Sequence, residues 1–156
     1  MNGRLGGIAR HSRPRGPIET LDHVAVTRAS GVSGNCRGVI LPGKSGRRQV
    51  SLIEAESWAA AMADLGRFED QALPWHVRRA NLLVEGLRLP RAAGKIIAIG
   101  PSLRIEVTCE CDPCHRMDAI LPGLRAALVP DWRGGVLGRV LTDGEIVVGD
   151  EVRIEE

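Results

Sequence analysis

Residues 95–108, KIIAIGPSLRIEVT, hold the two clearest strands of this sequence. Lys95 to Ile99 is rich in β-branched residues, and Leu103 to Thr108 alternates apolar and polar side chains, as a half-buried strand does. The intervening Gly-Pro-Ser at residues 100–102 consists of turn-forming residues. This stretch therefore predicts an antiparallel hairpin.

Similar short strands are predicted on both sides of the hairpin, at Leu21 to Val26, Arg48 to Ile53, Asn81 to Leu87, Val136 to Leu141, Glu145 to Val148 and Glu151 to Ile154. Between them, Glu54 to Leu65 carries apolar residues at helical spacing and is followed by Gly66, a typical C-terminal cap. About seven short strands with one good helix indicate a mainly β fold. We expect a closed or nearly closed β-barrel of short strands with a few short helices.

Length and composition limit the classes of function. A chain of 156 residues with 44% hydrophobic residues is large enough for one domain with a real core. No apolar run approaches the roughly 18 residues of a membrane span, so we expect a soluble protein with no membrane partner. A net charge of +2, three Trp, one Phe and no Tyr argue against a nucleic-acid partner.

The N-terminal segment, residues 1–19, contains several arginines, glycines and prolines but no apolar signal-peptide core. We therefore expect a disordered basic leader over residues 1–19, a barrel domain over residues 20–156 and a cytoplasmic location. In a reducing compartment the four cysteines are thiols, nucleophiles or metal ligands before they are disulfides.

The densest chemistry is TCECDPCHRM at residues 108–117, directly after the strongest strand. Asp112 is a good helix N-cap and Pro113 suits the first helical position, which predicts that Cys114 lies in the first turn of a helix. A sulfur there is near unpaired backbone N–H groups and the cationic side chains of His115 and Arg116. The sequence therefore predicts an accessible thiolate at Cys114, which is both a nucleophile and a metal ligand.

Three interpretations of the cysteines remain open from the residues alone. Cys109, Cys111, Cys114 and His115 are of the types that bind structural zinc, although the adjacent positions 114 and 115 diverge. The cysteines are also small enough to be buried apolar residues. Alternatively Cys114 faces solvent and carries sulfur or binds a soft metal, or it forms a redox pair with Cys111.

Several segments together resemble a known family. They are Arg-Ala-Asn-Leu at residues 79–82 with Val-Glu-Gly-Leu at 84–87, the strands at 94–99 and 103–108, Pro113-Cys114, and the glycine-punctuated end at 138–152. In order and spacing, the chain from about Leu21 to Glu155 resembles a stand-alone MOSC domain, the module named for the C-terminal part of molybdenum cofactor sulfurases. Arg79-Ala80 replaces the usual Gly-Glu of that family, and Cys111 adds a second thiol.

The resemblance implies a β-rich barrel in which the Pro-Cys cysteine faces a cleft. By this resemblance, Cys114 either carries a sulfane sulfur or ligates the molybdenum of molybdopterin, as in enzymes that reduce N-hydroxylated compounds. Such a reductase needs a separate electron-donor protein. Pyridoxal phosphate binding is a further property that the resemblance implies.

The candidate catalytic residues are Cys114 and His115, of which Cys114 is also the candidate metal ligand and His115 a proton shuttle. The candidate cofactor-binding residues, chosen for phosphate recognition and support of the cleft, are Arg78, Arg79, Asn81, Arg116, Arg133 and Arg139. The alternative function is a non-catalytic module that binds a small anion or a protein, with structural cysteines or zinc.

Overall fold

The predicted hairpin is present in the structure, a computed structural model that describes residues 2–155. Within these residues the strands are β1 (Gly3–Arg10), β2 (Glu19–Leu21), β3 (His23–Thr27), β4 (Gly31–Val32), β5 (Val50–Glu54), β6 (Leu82–Glu85), β7 (Ile96–Ile99), β8 (Leu103–Glu110), β9 (Val136–Thr142), β10 (Gly144–Val147) and β11 (Glu151–Glu155). The helices are α1 (Ala55–Asp64), α2 (Arg116–Ile120) and α3 (Leu124–Leu128). Short 3-10 helices span Glu69–Gln71, Trp75–Arg78 and Pro130–Trp132.

Seven strands close into a barrel in the order β11-β7-β8-β9-β5-β6-β1, and the pairing of β1 with β11 completes the ring. The closing register places Gly3 opposite Val152 and Arg4 opposite Glu151. Only the β5–β6 pairing in this ring is parallel; the others are antiparallel. The prediction of a mainly β, closed barrel is confirmed.

The N-terminal segment differs from the expectation of a disordered leader. Residues 3–10 form β1, which pairs with β6, β2 and β11, and Leu5 and Ile8 are fully buried in the barrel core. The leader prediction over residues 1–19 is therefore wrong for the described part. Met1 lies outside the described residues.

Glycines in β1 explain why the local pattern does not reveal this strand. A Cβ at Gly7 would lie 2.7 Å from the Trp75 ring, so the indole packs directly on the strand backbone. A β-bulge between Leu5 and Gly7 also interrupts the alternation of side chains. The place of this strand in the barrel therefore follows from its tertiary contacts and not from a local sequence pattern.

Two apolar clusters lie on opposite faces of the barrel wall. Leu52 and Leu82 point into the barrel core, whereas Ile53 and Leu83 belong to an outer cluster with the helices. This alternation follows from the period of two in a strand. The outer cluster includes Trp58 and other residues from α1, α2 and α3, so the helices cover one side of the barrel.

The predicted helix after β5 is confirmed as α1, and a small sheet of β10, β3 and β4 lies beside the barrel. Glu54, at the junction of β5 and α1, is buried and accepts hydrogen bonds from Ser57, from the Leu89 backbone N–H and from Arg91. Within residues 2–155, no helix combines the length and the apolar character that a membrane crossing requires.

Candidate functional site

A cleft of about 520 Å³ lies where four segments meet beside strands β5 and β9, which contribute Ser51 and Leu137 to its lining. They are the loop after β1, the loop after β4, the turn that precedes β6, and the chain from Cys111 to Ile120. The first of these segments is the one that the sequence analysis assigned to a leader. The N-terminal residues therefore contribute to the cleft as well as to the barrel.

Six arginines line the cleft, and within residues 2–155 no aspartate or glutamate does. They are Arg15, Arg37, Arg48, Arg78, Arg79 and Arg116. Two histidines, His11 and His115, and two cysteines, Cys111 and Cys114, share the same surface. Guanidinium groups bind phosphate and carboxylate through paired N–H donors, so the cleft is suited to an anion.

The cleft arginines differ from many other arginines of the chain in that they lack carboxylate partners. Within the described residues, none of the six cleft arginines makes a salt bridge to an acidic side chain. By contrast, nine arginines outside the cleft are paired with aspartate or glutamate. The positive charge of the cleft is thus left without a protein counter-ion.

Arg78 is 8% exposed and is held by three acceptors. Its Nη2 donates to the carbonyl oxygens of Cys111 at 2.9 Å and Gly134 at 3.2 Å, and lies 3.3 Å from Cys111 Sγ. Its Nε is buried and has no hydrogen-bond partner among the described residues. A buried N–H donor at a cleft wall is commonly satisfied by a ligand or an ordered water.

Arg79 has a left-handed backbone conformation with φ of 70°, which is uncommon for a residue other than glycine. It ends the Trp75–Arg78 turn, and its Nη2 donates to the Gly16 carbonyl oxygen at 2.6 Å. Strained backbone of this kind is concentrated at functional sites. Through its hydrogen bond to Gly16, Arg79 connects the cleft wall to the N-terminal loop.

Asn81 lines the cleft, but its amide serves the barrel. Its Oδ1 accepts from the backbone N–H and the hydroxyl of Ser51 at 3.1 and 3.2 Å, and its Nδ2 donates to the Ala9 carbonyl at 3.1 Å. At 4% exposure it joins β1 to β5 through these bonds. This geometry agrees with the prediction that Asn81 supports the cleft. Both polar atoms of its side-chain amide already have protein partners, so the geometry does not support its prediction as a cofactor-binding residue.

Cys114 and His115 lie at the cleft, as expected, but not in a helix. Residue 115 is the N-cap of α2, which begins at Arg116 and has five residues. The predicted cap at Asp112 is wrong because the Cys111 N–H still bonds to the Gly135 carbonyl at 2.9 Å, which extends the β8–β9 pairing past Glu110. Met117 of α2 is buried in the outer cluster and anchors this segment.

Arg133 and Arg139 do not line the cleft. Arg133 Nη1 pairs with Asp64 at 2.6 Å, and Arg139 Nη2 pairs with Glu106 at 2.8 Å. Both guanidinium groups also donate to backbone carbonyls, those of Ala127 and Ser45. Their prediction as phosphate partners is corrected because nearby carboxylates and carbonyls already occupy their donors.

Six polar lining residues were missed: His11, Arg15, Asn35, Arg37, Arg48 and Ser51. Burial lowers the pKa of His11, and the charges of Arg79 and Arg37 lower it further, which favours a neutral imidazole. Asn35 Oδ1 accepts from the His11 backbone N–H at 3.1 Å and fixes the two loops together. For Asn35 and Arg37, the sequence signal that could have pointed to the cleft was the Asn-Cys-Arg-Gly run at residues 35–38.

The residues of the cleft fit the chemistry of molybdopterin. Unpaired arginines suit its phosphate, and Cys114 offers one soft ligand. Within residues 2–155, no three side chains of the metal-binding types are placed to hold an ion, which leaves the zinc alternative without support. Pyridoxal phosphate is usually held by a lysine, and neither Lys44 nor Lys95 lines the cleft.

Comparisons with known proteins agree with this architecture. The YUAD protein from Bacillus subtilis matches at 20% identity over 99% of this chain and 96% of its own, with a TM-score of 0.77. YiiM from Escherichia coli matches at 13% identity over 98% of this chain and 70% of its own, with a TM-score of 0.68. YiiM from Geobacillus stearothermophilus matches at 19% identity, 99% and 73% coverage, and a TM-score of 0.61.

At these low sequence identities, the structural similarity shows that these proteins and this chain share a fold. A comparison with curated proteins found no match. The family model described as "MOSC domain" matches residues 20–153, which is most of the chain. On that match, together with the closed barrel, the chain belongs to the MOSC domain family.

Proposed function

We propose that the cleft binds the phosphate-bearing pterin of the molybdenum cofactor and that Cys114 is the reactive sulfur beside it. The observation that carries the proposal is a set of six cleft arginines without a carboxylate partner in the described structure. The MOSC family is linked to molybdenum cofactor binding, which supports this cofactor as the anion.

The arginines divide into two groups by their contacts. Arg78 and Arg79 donate to backbone carbonyls and hold the cleft walls. The side chains of the other four are exposed and make no hydrogen bond within residues 2–155; they are Arg15, Arg37, Arg48 and Arg116. Their guanidinium groups would bind phosphate oxygens, because two parallel charge-assisted hydrogen bonds to one phosphate are the strongest contact available to them.

When bound, the cofactor supplies the redox chemistry of molybdenum. The chain's own part is to orient it by its phosphate, to present the Cys114 sulfur as a ligand or as a carrier of sulfane sulfur, and to move protons. His115 is exposed and adjacent to Cys114, so its imidazole can exchange a proton with solvent beside that sulfur. Reduction of N-hydroxylated compounds would use electrons from a separate protein.

Purification from a host that makes the cofactor tests the proposal. Protein isolated without reductant is analysed for molybdenum, for pterin fluorescence and by intact mass. Cys114→Ser is compared with Cys109→Ser, a matched control because Cys109 lies on β8 and does not line the cleft. We expect molybdenum with pterin, or a mass increase of about 32 Da for one sulfur, in wild type and Cys109→Ser and not in Cys114→Ser.

The alternative is a module that binds a small anion without chemistry at sulfur. The same unpaired arginines favour this alternative. It differs from the cofactor proposal because anion binding would not depend on Cys114. Equal phosphate affinity in wild type and Cys114→Ser, with neither metal nor added sulfur in any preparation, would replace the cofactor proposal by this alternative.

A further inference from the structure

The cleft contains a second thiol, Cys111, that the proposed function does not use. Cys111 and Cys114 are three residues apart, and both line the cleft, whereas Cys36 and Cys109 do not line it. The segment between them follows β8 without forming a helix or strand of its own. The two sulfurs are therefore carried by one short, irregular segment at one surface.

Arg78 fixes the position of Cys111. One guanidinium nitrogen contacts both the carbonyl oxygen and Sγ of this residue, at 2.9 and 3.3 Å. Because Arg78 is 8% exposed and also bonds to Gly134, it cannot readily move away from that sulfur. A sulfur anion accepts such a charge-assisted bond more strongly than a neutral thiol does.

Cys111 is also connected to the sheet. Its backbone N–H bonds to the Gly135 carbonyl at 2.9 Å, whereas the Cys114 carbonyl accepts from Met117 at the start of α2. The first cysteine is thus held by the barrel and the second by the helix. A thiol held beside a cation, on the same cleft as a second thiol three residues away, is the arrangement of a resolving cysteine.

We propose that Cys111 resolves a persulfide on Cys114 and releases its outer sulfur as hydrosulfide. This inference rests on the sulfur-carrier form of the proposed function. The Cys111 thiolate attacks Cys114 Sγ, an Sγ–Sγ bond forms, and the bond from Cys114 Sγ to the outer sulfur breaks. The outer sulfur leaves with that electron pair as hydrosulfide.

Electrons balance within this step. The outer sulfur gains two electrons, and the two cysteine sulfurs together lose two on forming the disulfide. The Cys111 proton passes to solvent, directly or through His115. An external dithiol then reduces the disulfide and restores both thiols. The product is sulfide, and it is released only at a site that holds both cysteines.

Anaerobic reaction of the reduced full chain with glutathione persulfide tests the step. Samples are alkylated at intervals, intact mass is measured, and hydrosulfide is assayed. For wild type, after the mass of the alkyl groups is subtracted, we expect a transient gain of about 32 Da, followed by a species about 2 Da lighter than the reduced chain. This second species should carry two fewer alkyl groups and appear together with hydrosulfide. Tryptic peptides should show the Cys111–Cys114 bond.

In Cys111→Ser we expect the gain of about 32 Da to persist and hydrosulfide release to slow at least about tenfold. Cys111→Ala provides a second variant without a hydroxyl, and thermal unfolding checks that both are folded. Cys109→Ser should behave as wild type. Once Cys114 carries the outer sulfur, Arg78→Lys should form the disulfide more slowly than wild type, because an ammonium group replaces the guanidinium that contacts Cys111 Sγ.

The outcomes are distinguishable. Equal hydrosulfide release by wild type and Cys111→Ser, or a stable persulfide on wild type beside a free Cys111, would overturn this inference and leave Cys114 as a carrier. If no variant with Cys114 takes up sulfur, the carrier form of the proposed function fails, and this inference fails with it.

Discussion

Arg79 Nη2 donates a hydrogen bond to the Gly16 carbonyl oxygen at 2.6 Å, so a cleft arginine also holds the N-terminal loop. The loop between β1 and β2 carries His11 and Arg15 into the same cleft. Arg79, whose backbone is left-handed, therefore contributes both a charge to the cleft and a contact that holds this loop.

Replacing Arg79 by Asn should loosen this loop. Asn tolerates the left-handed conformation, so the change removes the guanidinium without adding backbone strain. We expect faster amide exchange over residues 11–16 and an affinity for inorganic phosphate that is about tenfold lower, the value of one charge-assisted bond. Arg133→Gln, outside the cleft, is the control; equal losses in both variants would contradict the role of Arg79.

The amide of Asn81 should contribute to stability. Asn81→Ala leaves the buried Ala9 carbonyl and Ser51 N–H without this partner. We expect the free energy of unfolding to fall by about 2 kcal/mol, as for other buried groups left unpaired. Urea denaturation followed by circular dichroism measures it, and a change below about 0.5 kcal/mol would show that water replaces the amide.

The glycines of β1 test whether this strand belongs to the fold. A Cβ at Gly7 meets the Trp75 ring at 2.7 Å, whereas at Gly6 it meets the partly exposed Glu85 side chain at 2.7 Å. The end of the Glu85 side chain is flexible, whereas the rigid indole ring must shift as a whole, so Gly7→Ala should cost about 2 kcal/mol and Gly6→Ala distinctly less. Equal effects on thermal unfolding would argue against the packing of Trp75 on β1.

His11 should make stability fall in mild acid. Its pKa is lowered in the folded chain by burial and by Arg79 and Arg37, so the unfolded chain binds the proton more readily. The free energy of unfolding should therefore decrease as pH falls from the usual histidine pKa of 6.5 towards the lowered one. His11→Asn should flatten this part of the profile.

The same histidine reports on the cleft. A bound anion offsets the charges of Arg79 and Arg37, so phosphate should raise the pKa of His11. NMR titration of its imidazole with and without phosphate measures the shift. An unchanged pKa at saturating phosphate would place the anion elsewhere.

The buried pair of Glu54 and Arg91 should determine the response to stronger acid. Burial alone would raise the pKa of Glu54, but hydrogen bonds from Arg91, Ser57 and the Leu89 N–H outweigh it and lower the pKa. This contribution is complete above the unfolded pKa of about 4.5 and is lost as pH falls through the lowered folded value.

Glu54→Gln should lower the free energy of unfolding at pH 7 by about 3 kcal/mol, because Arg91 keeps its charge in a largely buried site. The acid limb of the stability profile should shrink at the same time. Urea denaturation between pH 3 and pH 7 measures both; an unchanged acid limb would contradict the assignment to Glu54.

The sequence indicated most of the barrel and half of the cleft. Strands β7, β8, β9 and β11 and helix α1 follow from local alternation, helical spacing and turn residues. Arg78, Arg79, Cys114, His115 and Arg116 were predicted at the site and line one cleft. Arg133 and Arg139 were of the right residue type, but their carboxylate partners are distant in sequence and could not be read from it.

The sequence by itself determined the β-rich class and the position of a Pro-Cys thiol at the end of a strand, because strand period and turn chemistry are properties of neighbouring residues. Tertiary structure decided the rest. It made β1 a barrel strand through Trp75 and β6, and it ended the sheet pairing at Cys111 instead of starting a helix at Asp112. Within residues 2–155 it also paired some arginines with carboxylates and left six in one cleft without such a partner, because charge pairing depends on contacts between segments far apart in the chain.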